Sequence, residues 1–574
     1  MPQTVSIGYQ DFETIRKNKY FYIDKTKFIR EWWERGDSVT LITRPRRFGK
    51  TLTLSMVEKF FSVDAAGQGE LFEGLSIWEE EKYRKLQGTW PVIALSFADV
   101  KEVTFEQARK AICRIIKGVY NQYDFLLETN LLNESEKNDF RRIAVDMEDY
   151  AASVSLKVLS DYLCRYYGKK VMILLDEYDT PVQEAYVKGY WEEMTAFIRS
   201  LFNATFKTNS CLERGMMTGI TRISKESVFS DLNNLKVITT TSEEYADSFG
   251  FTEEEVFQAL DEFGFSGQKE KVKSWYDGFS FGSITEIYNP WSIINYLDTG
   301  KLEAYWANSS SNALVRKLIQ EGNKEVKQEF EKLLKGDSVF AEIDEQVVYD
   351  QLDHDDQAIW SLLLASGYLK VRGLETRESE LGGGITVYEL GLTNFEVKLM
   401  FRNMIHKWFG MASSVYNDFI KALLMDDVRA MNLYMNEVAM ATFSYFDTGK
   451  NPSGKEEPER FYHGFVLGLI VELSDRYILT SNRESGFGRY DVMLEPRKQG
   501  GGNKNGYCTD DAIIMEFKVQ NEEEKDLSDT VKAALEQIEE KNYEAALVAR
   551  GVPGERIRQY GFAFCGKRVL IGRG

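Results

Sequence analysis

The sequence predicts an α/β chain that opens on a parallel, doubly wound sheet. Three observations carry this reading. Strand-like runs at Val39–Thr43, Pro91–Phe97, Lys170–Leu175 and Arg214–Ile220 alternate with helical periodicity at Phe105–Tyr123, Ser155–Tyr167 and Trp191–Lys207, the pattern of successive strand–helix crossovers. The run KVMILL is apolar after its first residue, without alternation, as a strand covered on both faces must be. The first strand runs into a basic loop and a helix: LITRPRRFGKT, Leu41 to Thr51, followed by the amphipathic Thr51–Phe61.

Strand, loop and helix in that order form the layout of a phosphate-binding loop. Backbone N–H groups at a helix start face an anion. Gly49 lets the backbone approach without a Cβ in the way. Lys50 sets a cation against the β- and γ-phosphates, and the Thr51 hydroxyl is a ligand for Mg²⁺. Arg47, Phe48 and Leu52 are expected around the same phosphates. Arg44 stands where the general pattern begins with glycine, and a bare GKT also fits a surface turn ahead of a core helix, so the reading draws on a second feature. In KVMILLDEYD the strand ends in Asp176-Glu177, and ligands of open α/β sheets sit at the carboxyl ends of strands. Asp176 is placed to hold Mg²⁺ and Glu177 to polarise an attacking water. The strand Arg214–Ile220 ends in Thr221-Arg222, which fits a γ-phosphate sensor and equally a plain surface arginine.

Composition bounds the rest. A chain of 574 residues should hold several domains. Its 43% hydrophobic and 13% aromatic content supplies real cores, and nine prolines with no biased tract argue against disorder. No run reaches the length of a membrane span, and MPQTVSIGYQDFETIRK lacks the apolar centre of a signal peptide. Five scattered cysteines without a CxxC, and three histidines in all, fit free thiols in a reducing cytoplasm and exclude a His-rich metal centre. A net charge of −19 excludes a body that grips nucleic acid over its whole surface. Any such contact must be local, and Arg460, Arg483, Arg489, Arg497, Lys498 and Lys504 are candidates for it beside their reading as ordinary surface charge.

The remaining elements follow in order. Thr26–Trp33 spaces Phe28, Ile29, Trp32 and Trp33 as a helix ahead of the loop, and the core domain is expected over 1–241. From about Ser242 short helices (Thr252–Phe263, Lys269–Trp275) are punctuated by Asp277-Gly278 and Asn289-Pro290 as turns, so 242–340 reads as a helical lid. Residues 341–447 carry the helix Gln357–Leu364, the strand Tyr368–Val371, a Gly382-Gly383-Gly384 turn and the strand Ile385–Leu390, a winged-helix-like order, then helices Phe395–Phe409 and Val415–Phe443. TGKNPSGKEEP, Thr448–Pro458, reads as a linker, and 459–574 as a last domain.

That last segment holds a second constellation. Phe461–Leu473 reads as a buried helix carrying Glu472, Ser481–Leu494 as a turn leading into a strand with Asp491, and Ala512–Val519, AIIMEFKV, as a strand with Glu516 and Lys518 on one face. An antiparallel pair would bring Asp491 to Glu516 and Lys518. Two carboxylates can hold Mg²⁺ while a lysine orients water against a phosphodiester, with Glu472 as a third carboxylate. Alternating charges on a strand fit a solvated face equally well; the apolar flanks make polar residues in this sheet more costly and therefore more informative. Gln537 lies in the next helix, Leu527–Lys541, with Tyr543 just beyond.

Tyr20–Thr26 (YFYIDKT), Leu41–Leu52, Ile173–Asp179 and Thr218–Arg222 together resemble the AAA-ATPase-like proteins of bacteria. Tyr462-His463-Gly464-Phe465, Ser481–Asp491, Glu516-Phe517-Lys518 and Ala534–Ile538 look like the PD-(D/E)XK nuclease superfamily domain that such proteins often carry, with Tyr490 where the superfamily's name places proline. The resemblance implies a P-loop NTPase sheet and a C-terminal restriction-endonuclease-like α/β domain, with ATP and Mg²⁺ as cofactors. It implies Gly49, Lys50 and Thr51 on the phosphates, Asp176 and Glu177 at metal and hydrolysis, and Asp491, Glu516 and Lys518 as the nuclease site. The expected protein is a cytoplasmic ATPase joined to a metal-dependent nuclease-like domain whose partner is nucleic acid, DNA first, with a homo-oligomer left open. The alternative is a nucleotide-dependent switch or scaffold whose last domain only recruits partners.

Overall fold

The computed structural model describes residues 3–221, 229, 232–307, 315, 318–319, 324–344, 356–378, 384–408, 413–446, 465–469, 471–485, 488–497, 510–520, 524–565 and 567–574. Five strands, β1 (Val39–Thr43), β2 (Val92–Ser96), β3 (Val171–Asp176), β4 (Leu212–Gly219) and β5 (Leu235–Ile238), form one sheet in the order β2-β3-β4-β1-β5. Every neighbouring pair is parallel. β1 and β3 are buried from end to end, which is why their sequences carry no alternation. The registers place Thr43 beside Gly219 and Ser96 beside Asp176, so the carboxyl ends of β1, β3 and β4 share one edge. β5, LKVI, is too short and too flanked by polar residues to be read from the sequence.

The aromatic lead-in covers this sheet. The helix Lys27–Arg35 turns Phe28, Ile29 and Trp32 into a core with Phe12, Phe60, Phe61 and Phe72, and the Trp32 indole N–H donates to Thr40 Oγ1 of β1 at 3.1 Å. Each such side chain contributes about 1.5–3 kcal/mol by leaving water, so the segment before the loop is structural support for it.

Beyond Ser242 the chain departs from the all-helical expectation. The helices Glu253–Glu262, Lys269–Tyr276 and Pro290–Thr299 are present, but β6 (Phe251–Thr252), β7 (Asp277–Phe281) and β8 (Ile284–Tyr288) build a small antiparallel sheet between them. Asp277-Gly278 opens β7 rather than a turn. Gly278 has φ +137°, and a Cβ there would lie 2.0 Å from the Thr393 carbonyl oxygen, so this glycine serves close backbone approach. After β9 (Val339–Ala341), the helix Asp356–Ala365 precedes an antiparallel pair, β10 (Leu369–Glu378) and β11 (Gly384–Leu392). The helix expected over Val415–Phe443 is two helices, Ser413–Met425 and Val428–Phe446. Asp426 sits at φ +61° and ends the first, and the Asp427 carboxylate accepts the Ala430 N–H at 3.0 Å to start the second. Helical spacing continues through the break, so periodicity alone hides it.

The last sheet has the order β12-β13-β14-β15-β16: Tyr477–Ser485, Gly488–Pro496, Ala512–Val519, Ile557–Cys565 and Arg568–Arg573. β14 and β15 are parallel and joined through the helix Leu527–Glu540; the other pairs are antiparallel. Ser481–Ser485, expected as a turn, is the end of β12. The linker expected at Thr448–Pro458 lies outside the described residues. Chain contacts divide the protein into two compact units, Met1–Ser311 with Phe340–Val397, and Asn312–Val339 with Lys398–Gly574. Among the described residues no helix is long and apolar enough to cross a membrane.

Candidate functional site

The phosphate loop leaves β1 at Thr43 and ends at Gly49, which adopts φ +83° as the residue before the helix Lys50–Phe61. No atom lies within 4 Å of where its Cβ would be, so its value is conformational: a side chain there costs strain, not a clash. Arg47 is also left-handed, at φ +66°. Lys50 is buried, and its ammonium donates to the carbonyls of Arg44 and Pro45, both at 2.9 Å. Burial lowers its pKa, against the pull of Glu177, Asp176 and Asp179.

Arg44, in the place of glycine, turns away from this cradle. It is wholly buried; one guanidinium nitrogen donates to the carbonyls of Thr43 (2.9 Å) and Thr239 (2.5 Å), and the guanidinium stacks over Phe281 at 4.5 Å. Burial draws its pKa down to about 9. It ties the end of β1 to the chain after β5 and leaves the cavity to its successors.

The acidic partner is assembled from three elements. Thr51 Oγ1 donates to Asp176 Oδ2 at 2.7 Å, and Thr218 Oγ1 of β4 donates to Asp176 Oδ1 at 2.5 Å. Asp176 is buried, and burial raises its pKa while the two hydroxyls lower it. Glu177 stands at φ +49° and accepts the Thr180 hydroxyl at 3.0 Å. A non-glycine residue held in that conformation at a strand's carboxyl end is a strained point of the kind found at working sites. Asp179 is buried and accepts the N–H groups of Ile220 (2.8 Å) and Thr221 (3.1 Å), fixing the loop after β4. Arg222 lies outside the described residues. Arg46 to Thr53 and Glu177 line a cavity of about 650 Å³, which also takes in Tyr9, Phe21, Lys25 and Trp291, a size suited to a cofactor. The Arg47 guanidinium lies 4.4 Å over the Trp291 ring. Thr218 carries no local signal of its role, since its contact is made 42 residues away in sequence.

The second constellation converges through β13 and β14. The ladder pairs Val492 with Met515, so one further step sets Asp491 opposite Glu516. Asp491 Oδ2 accepts the Phe517 N–H at 2.8 Å. Glu516 is 4% exposed; its Oε1 accepts the Gln537 amide, which also reaches the Tyr543 hydroxyl at 3.0 Å. Glu516 Oε2 is buried with no hydrogen-bond partner among the described residues. Burial, then the charge of Asp491, pushes the Glu516 pKa up to about 8, against the pull of Lys518. An orphaned buried carboxylate oxygen is costly; a proton, favoured by the raised pKa, or a divalent cation would relieve it. Lys518 shares the Glu516 face of β14. Glu472 does not join them: it accepts from His406 Nδ1 at 2.9 Å, and no group of three His, Cys, Asp or Glu forms a metal cluster among the described residues.

Of the basic residues, Arg497 spends its Nε on the carbonyls of Ser474 (2.8 Å) and Tyr477 (3.3 Å), bracing the start of β12. Arg460, Lys498 and Lys504, and the side chains of Arg483 and Arg489, lie outside what is described.

Fold and geometry define a phosphate-loop α/β domain followed by a carboxylate-bearing sheet domain. Comparison with known proteins agrees: residues 6–229 match the family described as predicted AAA-ATPase, and residues 457–574 match the PD-(D/E)XK nuclease superfamily. The chain therefore carries an AAA-ATPase-like domain and a C-terminal PD-(D/E)XK superfamily domain. It is also 24% identical over 557 residues to the "Uncharacterized protein in vnfD 5'region" of Azotobacter chroococcum mcd 1, covering 95% of this chain and 94% of the relative.

Proposed function

We propose that this cytoplasmic protein binds Mg²⁺-ATP on the loop from Arg47 to Leu52, hydrolyses it with Glu177, and couples that cycle to a nuclease site at Asp491, Glu516 and Lys518. The substrate of that site is nucleic acid, DNA first. The observation that carries the reading is the chain of bonds Thr51–Asp176–Thr218 beneath the loop. A hydroxyl and a carboxylate are hard oxygen ligands, the kind Mg²⁺ takes. Lys50 exchanges its two loop carbonyls for phosphate oxygens. Glu177, steadied by Thr180, orients the attacking water. In the second site Asp491 and Glu516 would hold a divalent cation, and Lys518 would orient water against a phosphodiester. The bound ion supplies Lewis-acid charge to phosphate oxygens in both places.

Three measurements test this. Mg²⁺-ATP should raise the unfolding midpoint of the wild type, and Lys50→Ala should abolish the rise. Glu177→Gln should keep that rise while ATP turnover falls on the order of 10²-fold or more. Labelled single- and double-stranded DNA with Mg²⁺ and ATP should be cleaved by wild type and not by Glu516→Gln. Turnover unchanged in Glu177→Gln would remove the hydrolytic role. Binding without any cleavage would leave the switch or scaffold reading in its place.

A further inference from the structure

The peptide between Arg46 and Arg47 is held from outside the segment that matches the ATPase-like family. The Arg46 carbonyl accepts two hydrogen bonds, from Trp306 Nε1 at 2.9 Å and from Asn289 Nδ2 at 3.2 Å. The peptide is trans, and in a planar trans unit C=O and N–H point in opposite directions. Fixing the carbonyl on Asn289 and Trp306 therefore fixes the Arg47 N–H away from them. Arg47, which lines the cavity, is left-handed at φ +66°, and successive backbone N–H groups around such a residue form an anion-binding concavity. A non-glycine residue keeps that conformation only where its surroundings hold it.

The two donors are themselves secured. Asn289 Oδ1 accepts the Trp291 N–H at 2.9 Å, capping the helix Pro290–Thr299, so its amide nitrogen is aimed at the loop. Trp306 packs edge-on to Phe279, 5.3 Å between ring centres. The N–H groups of Trp306 (2.5 Å) and Ala307 (3.3 Å) donate to Glu396 Oε1, and the Ser292 hydroxyl donates to Oε2 at 2.9 Å. Glu396 has no exposed surface. A buried carboxylate with three donors is a costly device; here it holds Trp306 and its neighbour Ala307 on one oxygen and Ser292, in the helix that Asn289 caps, on the other.

We propose that Asn289 and Trp306 are positioning residues that hold the phosphate loop in its anion-binding shape, with Glu396 keeping Trp306 in place. The proposal rests on the nucleotide reading above. It extends the nucleotide site beyond residue 229, so that the ATPase-like segment does not complete its own loop.

The test uses the full-length protein, a fluorescent ATP analogue with Mg²⁺, and tripolyphosphate as a competitor that lacks a base. Trp306→Phe keeps an aromatic ring, though a smaller one, and removes the donor. Asn289→Ser keeps a helix cap and removes the reach to Arg46. Each should weaken both ligands by roughly three- to tenfold, the net worth of one hydrogen bond. Glu396→Gln, whose Oε1 still accepts from Trp306 and Ala307, should bind as wild type; Glu396→Ala should behave like Trp306→Phe. If Lys50→Ala loses tripolyphosphate while Trp306→Phe and Asn289→Ser bind it as wild type does, the positioning role is wrong and the nucleotide reading stands. If wild type binds neither ligand, the nucleotide reading fails and takes this proposal with it. Should Trp306→Phe fail to fold, Asn289→Ser decides alone.

Discussion

At the scale of single residues, burial sets the chemistry. Glu396 is the clearest case for a pH measurement. Burial pushes its pKa from 4.5 to about 7, against the lowering effect of Ser292, Trp306 and Ala307. A carboxyl whose folded pKa is raised contributes stability that is full below its unfolded value and is lost as pH rises through the folded one. The wild type should therefore lose stability between about pH 4.5 and pH 7 through this group, by at most about 3 kcal/mol. Glu396→Gln, which cannot ionise, should flatten that part of the profile in a series of thermal melts; an unchanged slope would exclude Glu396 as its source. Arg44 teaches the converse. In the sequence it looks like an intruder in a phosphate loop, yet its buried guanidinium serves the carbonyls of Thr43 and Thr239.

At the scale of elements, the last sheet shows how an edge is closed. β16 is an edge strand, and such a strand offers unpaired backbone groups to other chains. Two asparagines one turn apart on the helix Val428–Phe446 answer it. Asn432 bonds both the N–H and the C=O of Ile571, each at 2.8 Å, and Asn436 does the same for Val569 at 2.9 and 2.7 Å. Replacing both by alanine should lower stability by about 2–4 kcal/mol, counting four bonds at their net worth. It should also raise self-association, read by sedimentation. A monomeric double variant of wild-type stability would contradict this account.

At the scale of the whole molecule, two compact units carry one candidate site each. Calorimetry of the full chain should resolve two transitions, since multi-domain chains seldom unfold in a single step. Mg²⁺-ATP should move one of them and leave the other, and Lys50→Ala should cancel only that shift. Glu516→Gln should alter only the second. The net charge of −19 adds that any nucleic-acid contact must be local and salt-sensitive, because the body as a whole repels polyanions.

What the sequence by itself determined is what short-range pattern encodes. Apolar runs marked β1 to β4, and GKT at the helix after β1 with DE at the end of β3 marked both halves of the candidate nucleotide site. A carboxylate-x-lysine between apolar flanks marked β14. Tertiary structure alone decided which distant groups meet. It brought Thr218 to Asp176, Gln537 to Glu516 and Trp306 to the Arg46 carbonyl; it gave Glu472 to His406 and turned Arg44 out of the cradle. The physical reason is that a hydrogen bond across 42 residues, or across 260, leaves no periodicity in the chain. Its partners are ordinary residues until the sheet and its packing set them within 3 Å of each other.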